Sequence, residues 1–343
     1  PPPPPPPPME AAGSGHLLRL RLLLLRLPFR LFSRFLSLLP SPHRLRAPSL
    51  VALRDLHLSL SFLRAGLLPV TLDLDPSTSV HLWVPAHRRH ARPALVLIHG
   101  FGGNSKWQWE RQVGPLSRCF DLYVPDLVFF GRSRSSRPDR SVAFQAECVA
   151  EAMRRLGLRR YSVCGISYGG FVAFRMAAEA AEAEVERVVI LSAGVCATAG
   201  QRAEMVAREE RDVCEVLLPQ RPEDLLALMR RSMHRPPRWM PAFLLRDFIQ
   251  VMYEVHREER EEMIRELLLG AAEDTLPVLS QKTLLIWGDR DNVFPLFLAH
   301  QLKSHLGEES KLEIVKDAGH ALQLESPHRV NYLIQSFVSN QKM

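Results

Sequence analysis

Four short stretches of this 343-residue chain carry residue types suited to covalent chemistry. Gly165-Ile166-Ser167-Tyr168-Gly169 lies between an apolar, strand-suited run (Tyr161–Cys164) and a helix-like run that starts at Tyr168. A strand that turns sharply into a helix strains its central residue, so the positions two either side must lack a Cβ. The turn lifts the Ser167 hydroxyl beside the first free N–H groups of the helix, where serine is a candidate nucleophile. Leu95-Val96-Leu97-Ile98-His99-Gly100-Phe101-Gly102-Gly103 is a second apolar run ending in a glycine-rich turn. Beside a nucleophile, that turn suits an oxyanion hole donated by the amides of Phe101 and Tyr168. His99, beneath the turn, is expected to order it.

The partners lie downstream. Asp289 and Asp291 follow the strand candidate Thr283–Trp287, and either carboxylate could accept the Nδ1–H of a histidine and stabilise its imidazolium. The Ser192-Ala193-Gly194 loop after the preceding strand offers no acid. His320 follows Gly319 in the loop after Leu312–Val315. Among 13 histidines it is the one placed after a late strand at a glycine turn. The order Ser, Asp, His fits acyl transfer through a covalent intermediate.

Other candidates carry less. Gly131-Arg132-Ser133-Arg134-Ser135 ends in serine, and no strand leads directly into it. Asp126 is expected to hold a loop, His87-Arg88-Arg89-His90 to be a solvated loop, and Arg257–Glu266 a solvated helix face. No phosphate-binding or dinucleotide fingerprint occurs, and no His/Cys spacing suits a metal, so neither cofactor nor metal is expected. The five cysteines (119, 148, 164, 196 and 214) are odd in number and lack a C-x-x-C pair, which reads as reduced thiols in an intracellular protein.

The elements that must position these residues alternate. Strand candidates are Leu95–Ile98, Leu122–Val124, Tyr161–Cys164, Val188–Leu191, Thr283–Trp287 and Leu312–Val315. Helical patterns at 105–117, 141–156, 168–182, 296–306 and 327–338 separate most of them. Short, doubly apolar strands alternating with helices predict an α/β fold with a mostly parallel sheet covered on both faces. Before them, Pro69–Asp75 and Val80–Val84 flank a Pro76-Ser77-Thr78-Ser79 turn and predict an antiparallel hairpin. Between Leu191 and Lys282 only helix-favouring sequence appears: Gln201–Leu217, Arg221–Met233, Pro241–His256 and Glu258–Leu269. The expected organisation is a core of 50–194 and 276–343 with a helical cap of 195–275 above the carboxyl ends of the strands. Phe101, Phe129, Phe130, Ile166, Tyr168, Trp239, Phe243 and Met252 are the expected apolar pocket residues.

The net charge of +7 belongs to one end. Residues 11–54 hold eight arginines and no Lys, Asp or Glu; Glu10 is the one acid ahead of Asp55, so residues 55–343 are neutral overall. That distribution removes a nucleic-acid partner from consideration for the body. Pro1–Pro8, ahead of Met9, is expected to be a polyproline II stub outside the fold. Residues 16–39 put most of their arginines on one helical side and suit an organellar presequence (chloroplast or mitochondrion), an interfacial membrane helix or an inert extension. Prolines 40, 42 and 48 make a linker.

From about residue 66 onward the chain resembles α/β-hydrolases of the single-domain-plus-cap type. The run Val96-Leu97-Ile98-His99-Gly100-Phe101-Gly102-Gly103-Asn104-Ser105-Lys106-Trp107-Gln108-Trp109 is similar to that of plant hydrolases related to monoacylglycerol lipases. The resemblance implies Ser167 as nucleophile, His320 as base and, through G-x-x-D counted from Gly288, Asp291 as the acid. Asp126-Leu127-Val128-Phe129-Phe130-Gly131-Arg132-Ser133 matches the family's D-L-P-G-F-G-x-S with Val128 and Phe129 in place of Pro and Gly. The expected activity is hydrolysis of a lipophilic carboxylic ester, such as a monoacylglycerol. A carbon–carbon bond hydrolase and a triad-retaining small-ligand receptor use the same residues. Dehalogenases and epoxide hydrolases of this type carry Asp where this chain has Ser167.

Overall fold

All six apolar runs form strands in the computed structural model, which describes residues 49–89, 91–180, 184–208, 211–269 and 276–340. The polyproline stub, the 16–39 segment and His90 lie outside these residues. In chain order the elements are α1 (Leu50–Arg64), β1 (Leu67–Asp75), β2 (Thr78–Pro85), β3 (Ala94–Ile98), α2 (Ser105–Trp109), α3 (Val113–Leu116), β4 (Asp121–Pro125), β5 (Arg134–Ser135), α4 (Val142–Arg155), β6 (Tyr161–Ile166), α5 (Tyr168–Glu179) and β7 (Val185–Leu191). Then come α6 (Ala199–Ala207), α7 (Val213–Leu217), α8 (Pro222–Ser232), α9 (Ala242–Tyr253), α10 (Arg257–Leu269), β8 (Lys282–Gly288), α11 (Leu296–Leu306), β9 (Ser310–Val315), α12 (Leu322–Glu325) and α13 (Pro327–Val338).

The sheet order is β1-β2-β4-β3-β6-β7-β8-β9, with β5 paired to β2. The β1–β2 hairpin is antiparallel, as its turn sequence predicts, and β2 pairs antiparallel with β4. From β4 to β9 every neighbour is parallel. The order reverses at β3, whose next strand lies on one side and β6 on the other. That switch point leaves a crevice at the carboxyl ends of β3 and β6.

Alternate residues of the central strands feed two cores. Val96, Ile98, Val163, Val188, Ile190 and Leu285 pack on one face with α4, α5 and α11. Leu95, Leu97, Cys164, Val189, Leu191 and Leu284 pack on the other with Phe62 of α1, Trp109, and Val330, Leu333 and Ile334 of α13. Period two over doubly buried strands is what a covered parallel sheet requires. Cys164 is thus a core residue, and burial pushes its thiol pKa up.

Two expectations change. The 105–117 helix is broken into α2 and α3, with Gly114 and Pro115 inside the second piece; proline supplies no N–H and glycine weakens a helix. The Gln201–Leu217 pattern likewise divides into α6 and α7. A helix also appears where the sequence marks only the beginning of the folded body: α1, capped by the Ser49 hydroxyl accepting from the Ala52 amide.

The five helices α6–α10 all leave from β7 and return to β8. Four of them, α7–α10, share a small core of their own around Cys214, Leu225, Leu245, Ile249 and Ile264, to which Val51 of α1 contributes, while α6 sets Met205 against Trp287 and Leu298. α1 therefore joins this insert at one end and the sheet core, through Phe62, at the other.

Candidate active site

Ser167 is the N-cap of α5, with φ 53° and ψ −123°. Its amide donates to the Leu191 carbonyl at 2.9 Å and its carbonyl accepts from the Gly170 amide at 2.8 Å, so packing and hydrogen bonds hold the strained turn. A Cβ on Gly165 would lie 1.9 Å from the Gly169 carbonyl oxygen, and one on Gly169 would lie 2.3 Å from that of Ile98. Both flanking glycines are sterically required, as the motif predicts.

The β3 turn comes up against this elbow. A Cβ on Gly100 would meet Ser167 Cβ at 2.9 Å. The rings of Phe101 and Tyr168 stack edge-on at 5.0 Å. Among the described residues nothing accepts a hydrogen bond from the Phe101 or Tyr168 amide, the two expected oxyanion donors. Gln108 fastens the turn. Its Oε1 accepts from the Gly100 amide, and its Nε2 donates to the carbonyls of Gly100 and Phe101, all at 2.8–2.9 Å. His99 acts as expected. Leu127 N–H donates to Nε2, so the ring is neutral and its Nδ1–H donates to the Gly100 carbonyl. Burial lowers its pKa and keeps it neutral.

The two aspartates separate by geometry. Asp291 Oδ2 accepts from His320 Nδ1 at 3.1 Å, and its Oδ1 accepts from the amides of Val293 and Phe294 at 2.8 and 2.9 Å. Asp289 instead turns toward the Ala318 amide, at 3.4 Å. The Nδ1 bond leaves His320 Nε2 for the cavity, which both His320 and Ser167 line. No hydrogen bond joins Ser167 Oγ to His320 in this structure; such contacts commonly tighten only with substrate.

The sequence gives no hint of Glu325, yet it anchors the His320 loop. Its carboxylate accepts from the amides of Gly319, His234 and Arg235 at 2.7–3.1 Å, tying the insert to that loop. Ala321 N adds a 2.8 Å bond to the Ser232 carbonyl. The run Arg257–Glu266 on α10, expected to be a solvated face, is not solvated throughout: Met263 and Ile264 are buried, and so is Arg260, 4% exposed, whose Nε donates to the Phe129 carbonyl at 2.8 Å and whose Nη1 donates to that of Met252. Burial depresses this guanidinium to about 10.

Asp126 holds its loop, as expected. It accepts from Ser105 N and Oγ, His81 Nδ1 and Arg132 N. Ser133 is buried and donates to the Asp126 carbonyl at 2.7 Å, so it is no nucleophile.

A cavity of about 590 Å³ rises from Ser167 between the sheet end, α1 and the insert. Ile166, Phe101 and Tyr168 line it, as do Leu228, Leu244 and Phe248 of the insert. Five expected pocket residues do not. Phe129 and Phe130 are fully buried beneath it: Phe129 lies under the Arg140 guanidinium and Phe130 under that of Arg260, each at 4.5 Å. Trp239, in the loop ahead of α9, is 78% exposed, and Phe243 is 59% exposed because α9 turns Leu245, Ile249 and Met252 inward instead. Met252, in the insert core, does not line the cavity either. A cavity of about 700 Å³ at the amino ends of β6–β8 contains none of the candidate residues.

This geometry agrees with the comparisons. A family model described as alpha/beta hydrolase fold matches residues 93–327, and the chain belongs to that family. Mouse monoacylglycerol lipase ABHD6 is 22% identical over 266 residues, covering 75% of this chain and 77% of the lipase. The protein Rv2715 of Mycobacterium tuberculosis is 35% identical over 127 residues, 36% of this chain; the match spans only 37% of that relative's length. The crystal structure of a bacterial membrane phospholipase A superposes with a TM-score of 0.70 at 24% identity, over 94% of this chain and 99% of that one, and shares the fold.

Proposed function

We propose that the protein is a serine hydrolase of lipophilic carboxylic esters, monoacylglycerol-like in character, working through an acyl-enzyme. The observation that carries this reading is the apolar cavity of about 590 Å³ onto which Ser167 and His320 both open. His320 Nε2 takes the Ser167 proton as Oγ bonds to the ester carbonyl carbon. Asp291 steadies the imidazolium, and the Phe101 and Tyr168 amides receive the oxyanion. The C–O bond to the alcohol breaks as His320 returns the proton to the leaving oxygen. Water, deprotonated by the same histidine, then releases the acid. The similarity to a monoacylglycerol lipase supports the choice of substrate class. In the same reading, residues 16–39 address the enzyme to an organelle or a membrane surface.

The test joins active-site labelling to a substrate panel. A fluorophosphonate should label wild type and not Ser167→Ala, and the variant should lose roughly 10⁴-fold or more in kcat on nitrophenyl esters. Hydrolysis by Ser167→Ala at the wild-type rate would remove the nucleophile assignment. Activity confined to short, charged esters would remove the substrate class.

A further inference from the structure

α1 turns five of its six leucines outward, Leu58 being buried with Val51 and Phe62. Leu50, Leu53, Leu56, Leu60 and Leu63, three or four residues apart, form one stripe, each 43–57% exposed. Leu68, just past the helix, is exposed as well. The inward side holds groups that a surface helix ordinarily shows to water. Asp55 accepts from Lys106 Nζ, Trp107 Nε1 and Asn104 Nδ2, and Ser59 Oγ accepts from Lys106 Nζ. Val51, Leu58 and Phe62 already give the fold its apolar face, so the leucine stripe is a second one, left outside. The helix is locked with that stripe outside, because the Val51 amide bonds Asp247 of α9 at 2.9 Å and Phe62 is set in the sheet core.

The stripe borders the cavity. Leu50 belongs to both, and the exposed Arg54 beside it also lines the cavity. Phe243 stands one turn before Asp247 on α9, which brings its exposed ring beside the start of α1.

A contiguous exposed apolar stripe marks an interaction surface, and the neighbouring charges select its partner. The ionisable side chains on the exposed side of α1 are Arg54, paired with Glu110, together with His57 and Arg64. In sequence, α1 continues a stretch, residues 11–54, that holds eight arginines and no acid. Leucines flanked by arginine suit an anionic lipid surface, the side chains entering the acyl boundary and the cations meeting phosphate. At 15 residues α1 is too short to span a bilayer, which takes about 20, so it would lie in the interface. We infer that the outer face of α1, together with Phe243, docks the protein on an anionic membrane with the cavity mouth toward the lipid. Docking needs no catalysis; only the delivery of a membrane-borne ester to Ser167 rests on the hydrolase reading.

The test uses the full chain and sedimentation with vesicles of phosphatidylglycerol mixed with phosphatidylcholine, or of phosphatidylcholine alone. Wild type should sediment with the anionic vesicles and less with the neutral ones. The variant Leu53→Glu/Leu56→Glu/Leu60→Glu should lose about tenfold or more in vesicle partition, while its melting temperature and its rate on a soluble short-chain ester stay at wild-type values. Should the triple variant melt early, Leu56→Glu alone must show a smaller loss in the same direction. Vesicle binding equal to wild type in either folded variant overturns the inference. So does a wild type that binds neither vesicle, or one whose self-association is abolished in the variant with no change at the vesicle. A chain that docks yet hydrolyses nothing would leave the docking standing and overturn only the hydrolase reading.

Discussion

Asp126 never meets the cavity, yet it fixes the floor of the site. Its carboxylate holds α2 through Ser105 and reaches across to His81 on β2. Burial alone would raise its pKa, but the His81 hydrogen bond and charge, with Ser105, outweigh burial and hold it at about 2. A depressed carboxylate adds stability above its unfolded pKa near 4, and that stability is lost as pH falls through the folded value. Asp126→Asn should therefore cost about 2 kcal/mol at pH 7. The gap to wild type should close between about pH 4 and pH 2, as urea unfolding across that range would record. Residues bound to local backbone geometry were the legible ones: Ser167 between its glycines, and His320 after Gly319. The choice of Asp291 over Asp289 needed the resemblance first and the 3.1 Å contact to His320 afterwards. Phe129 shows the opposite case. It stands where the family pattern has glycine and takes a φ of 72°, a conformation rare for a bulky residue. Nothing in its neighbours announces that Arg140 and Arg260 hold it beneath the cavity.

At the scale of elements, the strands could be read from doubly apolar runs and the site from their carboxyl ends. α1 could not. Apolar residues fall on every side of it, and the direction each faces is decided by Lys106, which bonds Asp55, and Asp247, which bonds the Val51 amide, both from distant parts of the chain. α10 was legible as a helix with a charged face, but not as the clamp it is. Arg260 on that helix joins the insert to the turn beneath the site by donating to one carbonyl on each. Arg260→Leu would leave both acceptors buried without a donor, and should destabilise the protein by roughly 2–3 kcal/mol in chemical denaturation. Because Phe130 packs between Arg260 and Phe101, the same change should also lower kcat on soluble esters.

Across the whole molecule, the neutral body, the cationic start and the apolar cavity have separate origins in the chain. The cavity walls come chiefly from the insert, whereas Ser167, Asp291 and His320 come from the sheet ends. Substrate length should therefore change without loss of the chemistry. Leu228→Trp, on the wall contributed by α8, should shift preference from long to short acyl chains at least about tenfold in the ratio of kcat/KM, at nearly constant fluorophosphonate labelling. The insert leaves from β7 and returns to β8, and those two strands are hydrogen-bonded neighbours from Arg187 and Lys282 to Leu191 and Ile286. Its length is thus invisible to the sheet. Helices can be gained, lost or exchanged there over evolutionary time without shifting a strand register, so descendants of one ancestor could keep the same reaction while their substrates diverge.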